Sequence, residues 1–125
     1  MGDNIYSDGM EDDDKRSLKR RHLIYYLCVY DRNTGNLVGH VVDVTPDGIM
    51  TISDSPIEID KEYQFLMDLP SEMLGKTNIS FDARSLWSSR DANPDFFNTG
   101  FSIVEMDWQG RKLIERLINS YGFND

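Results

Sequence analysis

Runs of β-branched and aromatic residues, separated by short polar segments, recur along the chain after residue 22. They predict six strands, over residues 23–30, 37–44, 49–53, 62–69, 77–87 and 96–104. Gly35, in the first connecting loop, is expected to take a left-handed conformation. Residues 70–76 are expected to form a loop or one helical turn, and residues 88–94 a polar loop.

The period of the apolar positions changes after Asp107, which is a good N-cap residue. The pattern then predicts a helix over residues 108–121, ended by Gly122. Its apolar face is formed by Leu113, Ile114, Leu117, Ile118 and Tyr121. Six strands followed by one helix predict a mostly β fold, a small six-stranded antiparallel β-barrel with one C-terminal α-helix.

Charge divides the chain into three parts. Residues 1–14, the acidic leader, hold six acids and no bases and are expected to be disordered. Residues 15–22, the basic arm, hold five bases and no acids. Residues 23–125 form the predicted barrel with its helix and are acidic, in a chain of net charge −9. The leader is also able to fold back on the adjacent basic arm and screen it.

This composition argues against several classes of function. An acidic body lacks the broad basic surface that DNA or RNA binding needs. No apolar run is long enough to span a membrane, and the leader is too acidic for a signal peptide. The single Cys28, expected to be a buried small hydrophobe, indicates a reducing, cytoplasmic setting. No nucleophile–base pair and no metal-ligand spacing is present, so we expect neither an enzyme nor a metal site.

One stretch of the predicted barrel carries polar groups suited to binding. Asp43 and Thr45 are two residues apart on a strand, so their side chains share one face. Gly48 follows in the turn, where it is expected to tolerate a positive φ and to let a second molecule approach the backbone. We call Asp43, Thr45 and Gly48 the ledge. It predicts a small polar binding site.

The chain resembles the PilZ domain family, bacterial receptors for cyclic di-GMP, over residues 15–123. An arginine-rich segment, Arg16-Ser-Leu-Lys-Arg-Arg21, precedes the first strand, and Asp43-Val-Thr-Pro-Asp-Gly48 resembles the family's Asp/Asn-x-Ser-x-x-Gly motif. A strand ending in Arg84-Ser-Leu-Trp87 resembles the penultimate strand of the family. Gly100-Phe-Ser-Ile-Val104 and the final helix resemble its closing elements. The four landmarks occur in the family's order.

The resemblance implies a function and a set of site residues. The ligand would be cyclic di-GMP, held without any cofactor, and ordering of the arm would signal to an effector protein that the sequence does not identify. The arginines would hold phosphate or guanine, the aspartate would accept hydrogen bonds from guanine N–H groups, and Trp87 would flank a guanine. The implied binding residues are Arg16, Arg20, Arg21, Asp43, Thr45 and Gly48, with Trp87 as a further candidate.

Two registers of the family's Arg-x-x-x-Arg motif fit the arm. Arg16 and Arg20 satisfy the spacing directly. If the second arginine must stand at the start of the first strand, Arg21 takes the first position and Tyr25 the second. The second register would remove one charged contact. It therefore raises the alternative of a degenerate PilZ-like adaptor that does not bind cyclic di-GMP and acts through protein–protein interaction.

Overall fold

The computed structural model of the protein describes residues 27–121. Six strands and one helix follow one another in this part of the chain. They are β1 (Leu27–Asp31), β2 (Leu37–Thr45), β3 (Gly48–Ser53), β4 (Glu62–Met73), β5 (Lys76–Arg90), β6 (Phe97–Glu105) and α1 (Trp108–Tyr121). The acidic leader, the basic arm, residues 23–26 of the first predicted strand and Gly122 lie outside the described residues.

The six strands form a closed barrel in the order β1-β2-β3-β6-β5-β4, and β4 pairs with β1 to complete it. Every pair of neighbours is antiparallel. The predicted fold, a six-stranded antiparallel barrel with one C-terminal helix, is therefore confirmed.

Alternation of buried and exposed residues places the core inside the barrel, as the strand patterns predict. On β5, Ile79, Phe81, Ala83 and Ser85 are all buried, whereas Leu86 is exposed. The ring of Phe65 is fully buried and meets the rings of Phe81 and Phe101 edge-on, with centroids 6.0 and 5.0 Å away. Aromatic rings in this geometry interact favourably beyond the area that they bury.

The helix extends the same core. Its first turn is capped by Asp107, whose Oδ1 accepts a hydrogen bond of 2.7 Å from the Gly110 N–H, as the sequence predicts. The predicted apolar face is confirmed, since Leu113, Ile114, Leu117 and Ile118 are buried and Tyr121 is half-buried. The helix packs against β2 and β5. No helix within residues 27–121 has the length and apolar character needed to cross a membrane.

The segment 70–76 is neither a loop nor a helical turn, so that prediction is wrong. Strands β4 and β5 run through it and meet at Leu74 and Gly75, whose φ values are 52° and 78°. Two successive positive φ values are typical of a type I′ hairpin turn, which matches the twist of the strands. Pro70 is tolerated in β4 because the pairing is irregular between Asp68 and Met73.

Two smaller expectations also fail. Strand β5 continues past Trp87 to Arg90, so the polar loop comprises only residues 91–96. Cys28 is half-buried rather than buried, because it points away from the core between the buried Leu27 and Val29 and lies opposite His40. The expectation for Gly35 is confirmed by its φ of 79°.

We expect Phe65→Ala to lower the free energy of unfolding by about 3–5 kcal/mol, because it opens a cavity where three aromatic rings meet. Chemical denaturation monitored by circular dichroism measures this change. As a control, Ile59→Ala removes a side chain that is 48% exposed and should change stability by less than about 0.5 kcal/mol. Equal losses in the two variants would contradict the proposed position of the core.

Candidate functional site

The ledge lies at the end of β2, where the strand is locally irregular. The pairing of β2 with β3 shifts between Val41 and Asp43, so Val42 is an additional residue on β2. This bulge leaves Val42 and Asp43 half-buried, before the buried Val44 and the exposed Thr45. Asp43 and Thr45 therefore share the outer face of the barrel, as their spacing predicts. The Asp43 Oδ1 accepts a hydrogen bond of 3.0 Å from the Val44 N–H.

Thr45 closes the turn between β2 and β3. Its Oγ1 accepts a hydrogen bond of 3.1 Å from the Gly48 N–H and lies 3.4 Å from the Gly48 carbonyl oxygen. The two residues between them, Pro46 and Asp47, form the turn itself. The hydroxyl of Thr45 thus stabilises the ledge from within, accepting from the Gly48 N–H and donating to the Gly48 carbonyl oxygen.

Gly48 is required for a reason other than the one predicted. Its φ is not positive in this structure. A Cβ at Gly48 would instead collide with the carbonyl oxygen of Phe101 on β6. The glycine therefore permits the close approach of a neighbouring strand, and the expectation of a positive φ in the turn is wrong.

Trp87 is brought to the ledge by a second bulge. The pairing of β5 with β6 shifts between Ser85 and Trp87, so that Leu86 and Trp87 both face outward. The two side chains are 55% and 43% exposed. The indole of Trp87 lies directly over Gly100 of β6, where a Cβ would overlap the ring. The absence of a side chain at Gly100 thus allows the indole of Trp87 to pack directly on the backbone of β6.

The ledge and Trp87 line one shallow cleft of about 260 Å³, which we call the Trp87 cleft. Its lining consists of Asp43, Thr45, Gly48, Ile49, Met50, Leu86, Trp87, Gly100 and Phe101. Asp43 is the one charged side chain among these described residues. An aromatic surface beside a carboxylate suits a planar ring that carries N–H donors. The cleft offers no cation to a phosphate.

Five lining residues were not predicted as site residues: Ile49, Met50, Leu86, Gly100 and Phe101. The sequence contains a signal that could have identified Leu86. Two consecutive large apolar residues, Leu86 and Trp87, follow an alternating strand, and this pattern indicates a bulge. Gly100 could be assigned only once its pairing with Trp87 was known, because nothing local links the two positions.

The arginines of the predicted site, Arg16, Arg20 and Arg21, lie outside the described residues. The structure gives the position of Leu27, the first described residue after them. Leu27, the first residue of β1, pairs with Val41, two residues before Asp43. In the register of β2, Leu27 is therefore nearer to the ledge than to Leu37 at the opposite end of the strand.

A six-stranded closed antiparallel barrel with one helix packed on it, and a polar ledge at the end of β2, defines the class of small β-barrel domains. The sequence matches the model of the PilZ domain over residues 14–120, and the chain belongs to this family of cyclic di-GMP receptors. The match covers both the basic arm and the ledge. No curated protein matches the chain at a significant level of similarity.

Two solved structures share the fold. The Bacillus subtilis inhibitor of motility (MotI/DgrA) is 15% identical, with a TM-score of 0.62, and the match covers 80% of this chain and 49% of that one. The K. pneumonia MrkH structure in its apo state is 11% identical, with a TM-score of 0.65, over 90% of this chain and 53% of that one. The chain thus spans about half the length of these two structures.

We expect Gly100→Ala to displace the indole of Trp87, because the added methyl group occupies the position of the ring. Stability should fall by about 1–3 kcal/mol, the usual cost of overpacking, and the fluorescence of Trp87 should change. The same substitution in a Trp87→Ala background should be tolerated, because the ring with which it collides is gone. Equal costs in the two backgrounds would contradict the contact.

Proposed function

We propose that the chain is a non-catalytic receptor domain for cyclic di-GMP. The Trp87 cleft would hold a guanine, and the basic arm would close over the phosphates. The proposal rests on one observation: Asp43 and Trp87 line the same cleft of a PilZ domain. The two residues come from different strands, and the cleft combines a hydrogen-bond acceptor with an aromatic face.

The cleft is suited to one part of the ligand rather than to all of it. Its volume of about 260 Å³ is below the roughly 300–1,000 Å³ usual for ligand pockets. A guanine carries N–H donors that a carboxylate can accept, and its ring can stack on an indole. We therefore assign the guanine edge to Asp43 and the guanine face to Trp87. Thr45 and Gly48 hold the turn on which Asp43 depends.

The phosphates need cations that the cleft does not provide, and the basic arm is the candidate source. Arg21 precedes Leu27 by six residues and Arg16 by eleven. An extended chain of those lengths spans about 20 and 36–40 Å respectively. Because Leu27 pairs only two residues before Asp43 on β2, these lengths would suffice to bring an arginine over a bound guanine. Arginine is suited to the role, since its planar fork binds phosphate through two hydrogen bonds.

Ordering of the arm on the ligand would be the signal. A segment that becomes ordered upon binding creates a surface that an effector protein can recognise. In this proposal the domain acts in the cytoplasm, uses no cofactor and binds neither nucleic acid nor membrane. The alternative is the adaptor that has lost its ligand, motivated by Tyr25 in the strand-anchored register of the motif.

Isothermal titration with cyclic di-GMP tests the proposal directly. Asp43→Ala should weaken binding by about 10- to 100-fold, because loss of a charge-assisted hydrogen bond costs about 1.5–3 kcal/mol. Asp47→Ala is the matched control, since Asp47 is an exposed acid four residues away that does not line the cleft. The affinity of the Asp47→Ala variant for cyclic di-GMP should be unchanged. No heat from the unmodified protein at low salt would favour the adaptor.

Single substitutions in the arm distinguish the two registers. If Arg16 and Arg20 hold the ligand, Arg16→Ala and Arg20→Ala should each weaken binding by about 10- to 100-fold, and Arg21→Ala by much less. If Arg21 occupies the first position, Arg21→Ala should be the most damaging. In that case Tyr25→Arg should strengthen binding by a similar factor. Lys19→Ala controls for the general loss of positive charge.

A further inference from the structure

The outer face of α1 is a second feature with binding character, separate from the Trp87 cleft. Trp108 at the start of the helix is 72% exposed, and Leu74 at the tip of the β4–β5 hairpin is 48% exposed. Together with Lys112, Glu115 and Arg116 they line a groove of about 640 Å³, which we call the α1 groove. An exposed tryptophan beside an exposed leucine is an apolar anchor point of the kind found at interfaces.

The charge of this face is opposite to that of the barrel. Residues 27–107 hold five bases and fourteen acids, whereas α1 holds three bases, Arg111, Lys112 and Arg116, and one acid, Glu115. On the barrel, Arg32 pairs with Asp82 at 2.8 Å and Arg84 with Asp60 at 2.9 Å. The three α1 cations form no ion pair within residues 27–121. Two of them, Lys112 and Arg116, line the groove and favour an acidic partner.

The chain itself contains a segment with the matching chemistry. The acidic leader, residues 1–14, carries six acids and no bases. It also carries apolar side chains, Ile5, Tyr6 and Met10, that an exposed tryptophan can pack against. The basic arm that follows the leader offers it opposite charge but a single apolar residue, Leu18.

The leader is long enough to reach the α1 groove. Ile5 precedes Leu27 by 22 residues, for which a flexible chain has a root-mean-square span of about 25 Å. The helix is about 21 Å long and shares its core with Leu27. A tethered segment of this kind has an effective concentration on the order of millimolar. Even a weak contact would then be substantially occupied.

We propose that residues 1–14 dock on the α1 groove of the same chain. Their acids face Lys112 and Arg116, which line the groove, and an apolar side chain of the leader packs on Trp108 and Leu74. This interaction goes beyond the proposed ligand binding and is independent of it. It assigns the acidic leader a binding surface on the folded domain, and that surface shares no lining residue with the Trp87 cleft.

Paramagnetic relaxation tests this proposal in the full chain without any ligand. Cys28 is the single cysteine, so Ser7→Cys in a Cys28→Ser background places one nitroxide in the leader. At about 0.01 M salt, the amide signals of residues 108–119 should broaden. At about 1 M salt, where the Debye length is about 3 Å, the broadening should be lost. Because no ligand is present, failure here leaves the receptor proposal standing.

Matched variants define the interaction. Neutralising the leader, by Asp→Asn at 3, 8, 12, 13 and 14 and Glu11→Gln, should abolish the broadening, as should Trp108→Ala combined with Lys112→Ala. Asp54→Asn with Asp95→Asn removes exposed acids elsewhere and should leave it intact. Broadening confined to residues 15–21 would overturn the proposal. So would broadening transferred to unlabelled copies in a mixed sample, which would place the contact between two chains.

Discussion

The site depends on the close approach of β6 to its neighbours, made possible by two positions that lack a side chain. At Gly48, β3 lies against the Phe101 carbonyl, and at Gly100 the indole of Trp87 lies on the backbone. Strand β6 separates β3 from β5 in the barrel, so a bulky residue at either position would alter the arrangement of the ledge and the tryptophan. The cleft is thus a consequence of steric fit within the barrel wall, which interiors packed at high density enforce strictly.

The distribution of charge determines what the barrel can do alone. The Trp87 cleft presents one carboxylate, and the described barrel is acidic as a whole. An anionic ligand would be repelled by this surface unless cations outside it took part. In the proposed receptor, the arm would supply affinity as well as the signal. Part of the interaction energy would then be offset by the entropy of ordering the arm.

Sequence reasoning succeeded where a local pattern decides the structure and failed where a distant residue does. Alternation on β5 and the spacing of Leu113 and Leu117 were enough to identify the inner faces. The hairpin at Leu74 and Gly75 was missed because Pro70 suggested a break, whereas an irregular pairing accommodates it. A side chain at Gly48 would collide with Phe101, and one at Gly100 would collide with Trp87. Only the register of the paired strands reveals such partners. The arginine register depends on residues outside the described part.

Closure of the barrel also limits how a partner can recognise it. Each strand between Leu27 and Glu105 has a hydrogen-bonded neighbour on both sides along part of its length, and those paired stretches offer no open sheet edge. Recognition by β-augmentation, in which a partner adds a strand through main-chain hydrogen bonds, is therefore unavailable there. An effector that binds these paired stretches must recognise side chains, turns or the helix. Its specificity would consequently be sensitive to single surface substitutions in a way that main-chain pairing is not.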